Sequence, residues 1–181
     1  MKSSSTGQMM LRLAHELSVS WGPLHIIAYL IGFTLVGIGL VQFVGQRTGR
    51  YQGGALGPLM TVFAGIALLN ILGVMNLVMQ STLSTQSLNA LNYSNVSGGS
   101  SIGKPFIEGA LAIVEFVGFI GVIRGCIMIA ERGKGNQNVG TGSIIAHLVG
   151  GTFAVNFTAF LHTLGVTFGG PIQSSITHFI H

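Results

Sequence analysis

Two charged residues, Glu115 and Arg124, lie inside a long apolar run of this sequence. An ionised side chain among apolar neighbours is costly, so such residues normally face a partner or a cavity and are the first candidates for chemistry. Nine positions apart on a helix, they project from opposite faces and lie about 13 Å apart along the axis, so they cannot pair with each other. We expect Glu115 to meet a polar group of another helix or subunit, and a proton- or ion-coupling role for it is the alternative.

The remaining polar residues of the apolar runs do not converge as a catalytic or metal site. Metal sites need several ligands at short spacing, and no nucleophile here has a base beside it in the pattern. The single cysteine, Cys126, excludes an internal disulfide and a thiolate zinc site. We therefore expect no enzyme activity, no metal and no cofactor, and interhelical hydrogen bonds of about 1 kcal/mol explain these residues sufficiently. They are His25, Asn70, Asn76, His147, Asn156 and His162.

The composition is that of a membrane protein. Charged residues make up 7% of the 181 positions, against roughly 25% in soluble domains. The net charge of +4 does not come from a basic cluster of the kind that binds nucleic acid, because the charges flank the apolar runs. Four runs exceed the roughly 20 residues that cross a bilayer as a helix, and they predict four transmembrane helices. The runs are Leu24–Val44, Leu56–Met79, Phe106–Ala130 and Ile144–Phe168.

An internal repeat organises these four segments into two tandem helical hairpins. When the chain is shifted by 86 positions, glycine and asparagine residues coincide without gaps. Gly32-Phe33 falls on Gly118-Phe119, Gly39 on Gly125, Gly54 on Gly140, Gly65 on Gly151 and Asn70 on Asn156. Glu115 and Arg124 fall on Tyr29 and Ile38, so the charges belong to the second copy alone. The sequence predicts an all-α membrane protein built from a duplicated hairpin.

The segment boundaries and the orientation follow from polar composition and basic residues. Arg47, Arg50, Arg132 and Lys134 lie in the two hairpin loops, which predicts that these loops are cytoplasmic and that the linker and both termini are periplasmic. Lys2, Arg12 and Lys104 argue for the opposite orientation. Met9–Val19 and the tail after Pro171 have amphipathic spacing typical of short interfacial helices, although frayed ends explain the tail equally well. The predicted segments are an amphipathic N-terminus (1–23), the first hairpin (24–79), a polar linker (80–105), the second hairpin (106–168) and the tail (169–181).

Small residues form rows along the predicted helices, and such rows let helices approach closely in lipid. The fourth segment has Ala146, Gly150, Ala154 and Thr158 at spacing four. We expect helix packing at these rows and, because so many occur in a small protein, assembly into a homo-oligomer. The helix-packing candidates are Gly57, Gly65, Gly121, Gly125, Gly150 and Gly151.

From the third segment onward the chain resembles a known family. The stretch from Phe119 to Gly125 is followed by Gly140-Thr-Gly142, His147-Leu-Val-Gly-Gly151, Asn156 and Thr163-Leu-Gly165, and the first copy adds Gly57-Pro-Leu59. This pattern is similar to the IcmC/DotE family of type IVB (Dot/Icm) secretion systems and to the related TraQ-type proteins of IncI conjugation systems. The resemblance implies an inner-membrane component of an exporting machine, without catalytic activity or cofactor. It assigns no role to Arg124, His147 or Asn156.

Each half of the chain is also similar to a conjugative pilin, a small hairpin that leaves the membrane to build a hollow filament. In that case the four basic loop residues would line the lumen, where they could offset the charge of transported DNA or of bound phospholipid. We therefore expect a structural subunit of a secretion or conjugation apparatus, resident in the bacterial inner membrane or polymerised as an extracellular pilus. Its partners would be lipids, copies of itself and other proteins of the apparatus. The alternative is a small transporter or channel component that uses Glu115.

Overall fold

The computed structural model of the protein describes residues 19–48, 54–83 and 103–157 and single residues outside these ranges, without the side chains of 47, 82, 83 and 103–108. These described residues are helical, with no strand among them. The Met9–Val19 segment is described only in part, and 84–102, most of 158–166 and the tail lie outside the described residues. The helices are α1 (Trp21–Arg47), α2 (Leu56–Leu69), α3 (Ile71–Leu83), α4 (Gly103–Gly133) and α5 (Thr141–Val155).

Two of these helices are long and apolar enough to cross a membrane, over Trp21–Gln46 and Gly109–Gly133. They contain the first and third predicted segments. α1 ends where the Thr48 hydroxyl and backbone N–H donate to carbonyls of the last turn, at 3.2 Å to Gly45 O and 3.2 Å to Val44 O respectively. α4 ends at Gly133, and Gly135, two residues further on, has a φ of 89°, a left-handed conformation that favours glycine.

The second predicted segment is not a straight helix. α2 and α3 meet at Asn70 with a bend of 92°, and Asn70 itself has left the helical region, at φ −123° and ψ 46°. Its N–H still donates to Ile66 O, and its carbonyl oxygen accepts from Val74 N, so helix resumes immediately after one residue. If this bent pair is counted as one span, the described residues hold up to three spans.

The fourth predicted segment is interrupted at the repeat-equivalent residue. α5 has 15 residues and ends before Asn156, at φ −113° and ψ 40°. The N–H of Asn156 donates to Thr152 O and its carbonyl accepts from Phe160 N, the same pattern as at Asn70. Asparagine suits such a junction because its short polar side chain stabilises helix starts and tolerates non-helical backbone. The predicted continuation to Phe168 lies largely outside the described residues.

The helices pack as two pairs, α1 with α2 and α4 with α5, and each pair crosses at two glycines. A Cβ at Gly32 would lie 2.9 Å from Gly65 O, and one at Gly118 would lie 2.7 Å from Gly151 O. A second contact follows about two turns along, where a Cβ at Gly39 would meet Val62 and one at Gly125 would meet Leu148. Each contact residue of the first pair lies 86 positions before the equivalent contact residue of the second pair. The absence of side chains is what permits the close approach.

The two pairs join through α2, which packs against α4. Their shared core is apolar, and its largest fully buried side chain is Phe119. The single tryptophan, Trp21, contacts Phe119 edge-on with ring centroids 5.1 Å apart, and His25 lies 4.8 Å from the same ring. The start of α1 is therefore fixed against the middle of α4.

Candidate functional site

Glu115 lies deep in the protein, in the middle of the long helix α4. Its side chain is 7% exposed, whereas its counterpart in the first copy, Tyr29, is 43% exposed. Glu115 precedes Gly118 by three residues, and a Cβ at Gly118 would lie 2.9 Å from the backbone nitrogen of Val155. Because residues three apart share a helix face, Glu115 is level with the end of α5.

The end of α5 supplies two more buried polar residues. Thr152 is fully buried and its hydroxyl donates to Leu148 O over 2.7 Å. The side-chain amide of Asn156 is buried as well, and its Nδ2 donates to Thr152 O over 3.2 Å. Glu115 of α4 and Thr152 and Asn156 at the end of α5 are thus the buried polar side chains of two helices that cross, and we call them the buried polar layer. Chemically, such a layer can hold a proton or pair hydrogen-bonding groups in an apolar surrounding.

Arg124 lies away from this layer, with its side chain exposed on α4. Its counterpart is Ile38, which is also exposed. The structure therefore does not bring Glu115 and Arg124 together, in agreement with their positions on opposite helix faces. An arginine stem of this length can reach from an apolar surface to the polar boundary.

The two histidines of the described spans bond to carbonyl oxygens of their own helices. His147 Nδ1 lies 2.8 Å from Ser143 O, and His25 Nδ1 lies 2.9 Å from Trp21 O. Within the described part of the chain, no three His, Cys, Asp or Glu residues are grouped to hold a metal ion. Asn70 is exposed at the bend between α2 and α3, and its side chain lies against Gly73.

The second hairpin loop is held in a defined shape. Arg132 Nη1 donates to Val139 O over 2.6 Å, which closes the loop across seven residues. Gly135 N donates to Arg132 O and Asn136 N to Glu131 O, the bonds of a helix end with a left-handed glycine. An open cavity of about 230 Å³ lies over this loop, lined by Arg132, Gly135, Asn136 and Gln137.

The basic residues predicted to share a surface are only partly described. Lys134 is exposed beside Arg132, and the exposed carboxylate of Glu131 lies next to them, so this loop is less positive than its basic residues alone suggest. Arg50 and the side chain of Arg47 lie outside the described residues.

The predicted packing glycines have different surroundings. Gly65, Gly125 and Gly151 lie at the close crossings, and Gly121 makes an ordinary contact, 3.7 Å from Gly151 Cα. The carbonyl of Gly57 faces Gly133 of α4, at 3.1 Å from the position of a Cβ there. Gly150 lies on an open face with nothing within 4 Å of its Cβ position.

Comparison of the chain with protein-family models, with characterised proteins and with solved structures finds no match.

Sequence reasoning did not identify Thr152 as part of the buried polar layer. The available signal was its position four residues before Asn156, on the same helix face. A threonine hydroxyl in an apolar helix bonds readily to the carbonyl of the preceding turn. The presence of a threonine in the sequence therefore does not by itself indicate a functional site.

Proposed function

We propose that this protein is a structural subunit of a type IVB secretion or conjugative DNA-transfer apparatus. It acts from the bacterial inner membrane, either as a resident subunit or as a pilin-like subunit that polymerises. Its four membrane segments form two tandem hairpins with cytoplasmic loops, and Asn70 and Asn156 interrupt the second segment of each. The assignment to this apparatus rests on the sequence resemblance described above.

The observation that carries the structural role is the equivalence of the two hairpins. Gly65 meets Gly32 and Val36 in the first pair, and Gly151 meets Gly118 and Val122 in the second, with every position offset by 86. Both pairs also end at an asparagine of similar backbone angles. A unit repeated with its contacts intact is typical of a doubled building block.

The distribution of charge and apolar surface supports a protein that packs against lipid and against other subunits. α1 exposes large apolar side chains along its length, including Ile26, Leu30 and Val41. Arg132 and Lys134 are exposed in the loop that joins α4 to α5, where they suit phospholipid headgroups or the phosphates of passing DNA. In a polymer this end would face the lumen.

The experiment is a deletion of the gene in its native host, complemented in trans. We expect loss of DNA or effector transfer in the deletion strain and recovery with the wild-type chain. Sheared surface filaments and inner membranes are then probed for the intact chain, which distinguishes a pilin from a resident subunit. Normal transfer by the deletion strain would refute the proposal.

A second candidate function, a small proton- or ion-coupled transporter or channel component, is favoured by the buried polar layer. Glu115 is a buried carboxylate inside a span, present in one copy of the repeat only. In transporters such residues bind the coupling ion near interrupted helices. Glu115→Gln should then abolish a proton-linked flux in proteoliposomes while the exposed control Glu131→Gln preserves it. Equal fluxes for wild type and Glu115→Gln would eliminate this candidate.

A further inference from the structure

One face of α4 is buried and packs against the first hairpin, where Phe119 contacts Trp21 and His25 of α1. Gly133, at the end of this face, lies close to α2, since its Cβ would lie 2.5 Å from Met60 Cβ and 3.1 Å from Gly57 O. α2 and α4 run antiparallel here, because the start of α2 meets the end of α4. The buried positions on this face of α4 are Phe119, Ile123, Cys126 and Ala130.

The equivalent face of α1 has no neighbour among the described residues. Subtracting 86 gives Phe33, Gly37, Leu40 and Val44, which we call the α1 face. Phe33 is 74% exposed, although its counterpart Phe119 is fully buried. Leu40 and Val44 are exposed, and nothing lies within 4 Å of a Cβ at Gly37. The first hairpin therefore leaves exposed the surface that corresponds to the buried, packed surface of the second hairpin.

The complementary surface is uncovered on α5. Gly57 and Met60 of α2 contact α4 at Gly133, and Ala64, one turn beyond Met60, shares their helix face. Adding 86 gives Ser143, Ala146 and Gly150, which we call the α5 face. All three are exposed. The interface between α2 and α4 thus has two exposed equivalents in the same molecule. The α1 face corresponds to the α4 side of that interface, and the α5 face corresponds to the α2 side.

We propose that a second copy of this chain occupies these faces. The α1 face of one molecule would pack on the α5 face of the next in the way that α4 packs on α2 within one molecule. This deepens the proposed structural role by naming the surfaces through which copies assemble. The contact is heterologous, because two different patches meet. Repeated head to tail it generates a closed ring or an open filament, depending on the rotation between successive hairpins.

The sizes of the side chains on the two faces fit each other. On the internal face α4 has the small buried residues Cys126 and Ala130, and the side of α2 that faces α4 has Met60 and Ala64. Between copies, the larger Leu40 and Val44 would replace the two small residues, while the smaller Ala146 and Gly150 replace Met60 and Ala64. The gain in volume on one side is therefore offset by the loss on the other, and cores tolerate such exchanges when total volume is kept. Lipid would also cover these faces, but apolar exposure alone gives helices no drive to associate in a bilayer, whereas close backbone packing does.

Cysteine cross-linking in native membranes tests the geometry. Within one molecule Gly133 contacts Met60. The repeat offset of 86 converts this pair into residue 47 of one molecule and residue 146 of the next, which should therefore lie side by side. In the cysteine-free background Cys126→Ala, the double variant Arg47→Cys with Ala146→Cys should form a ladder of dimer, trimer and larger species on mild oxidation. A mixture of the two single variants, co-expressed, should stop at dimer, and neither single variant should cross-link with itself. Replacing Arg47→Cys by Ile38→Cys, on the other side of α1, should reduce the yield at least tenfold.

A bulky residue on the α5 face provides an independent measurement. Gly150→Phe, introduced into the double-cysteine variant, should abolish the ladder, while Ile145→Phe, exposed but off the face, should leave it intact. An unchanged Trp21 emission spectrum identifies variants that keep the fold. Self-cross-linking of either single variant would show an isologous contact and overturn the proposal. A double variant that stays monomeric under oxidation, in membranes where the chain is folded, would overturn it as well. Since DNA transfer is not measured here, this proposal and the proposed function fail separately.

Discussion

Adding one methyl group at Gly151 tests whether the glycine crossings hold each hairpin together. A Cβ there would lie 2.6 Å from Gly118 O and 2.9 Å from both Val122 Cγ2 and Val122 N. Two of these three atoms belong to the backbone, so a side chain cannot rotate away and the helices themselves must move apart. Overpacking of this kind typically costs about 1–3 kcal/mol.

The adjacent Gly150 is the matched control, because it lies in the same helix with nothing within 4 Å of its Cβ position. Gly→Ala raises helix propensity by about 1 kcal/mol at either position, so the difference between the two variants isolates the overpacking. In the detergent-solubilised monomer, where the α5 face has no second copy against it, we expect Gly151→Ala to be less stable than Gly150→Ala by about 1–3 kcal/mol, which is roughly a 5- to 150-fold change in the unfolding equilibrium. Gly65→Ala in the first hairpin should show the same loss, since its Cβ would lie 2.7 Å from Gly32 O.

The free energy of unfolding is measured by titrating the purified chain from mild detergent into sodium dodecyl sulfate. Trp21 is the only tryptophan and contacts Phe119 across the two hairpins, so its emission reports their separation. Equal stabilities of the Gly151→Ala and Gly150→Ala variants, within about 0.5 kcal/mol, would refute the reasoning from the crossings.

Three further predictions use the same titration or simple chemistry. Phe119→Ala should lower the free energy of unfolding by about 3–5 kcal/mol, because it opens a cavity. The exposed repeat counterpart Phe33→Ala should change the free energy of unfolding of the detergent-solubilised monomer by less than about 0.5 kcal/mol. Gly135→Ala should cost about 1 kcal/mol, because the residue has φ 89°, and Gly140→Ala, with ordinary backbone angles and open space, should be close to neutral. Cys126 is fully buried, so N-ethylmaleimide should label it only after unfolding; rapid labelling of the folded chain would contradict the packing of α2 on α4.

The repeat was the most informative feature of the sequence, because glycine contacts depend on position rather than on average hydropathy. Gly32, Gly65, Gly118 and Gly151 were matched by offset alone, and the structure places them at two equivalent crossings. The all-helical architecture and two apolar span candidates also follow from composition. What could not be predicted is which of two adjacent glycines faces the partner. Gly150 and Gly151 differ by about 100° around the helix, and both were predicted as helix-packing residues.

The interruptions at Asn70 and Asn156 were equally hard to predict. Hydropathy averaged over a span hides a single asparagine, and neither break has a proline beside it. The signal was the recurrence of asparagine at the repeat offset, which we interpreted as interhelical hydrogen bonding. In the structure each residue ends one helix, and the Asn156 amide bonds within its own helix, to Thr152 O.

The short helices α2 and α5 have a consequence for the surrounding lipid. With 14 and 15 residues, they extend about 21–23 Å, whereas a typical hydrocarbon core is about 30 Å thick. α1 and α4, with 27 and 31 residues, exceed that thickness. In the proposed topology of four membrane segments, α2 and α5 would cross the bilayer beside α1 and α4, and one molecule would combine positive and negative hydrophobic mismatch. A bilayer relieves such mismatch by thinning beside short helices while long ones tilt. Lipids with shorter acyl chains would then collect along α2 and α5, and the membrane would be thinner on that side of the protein.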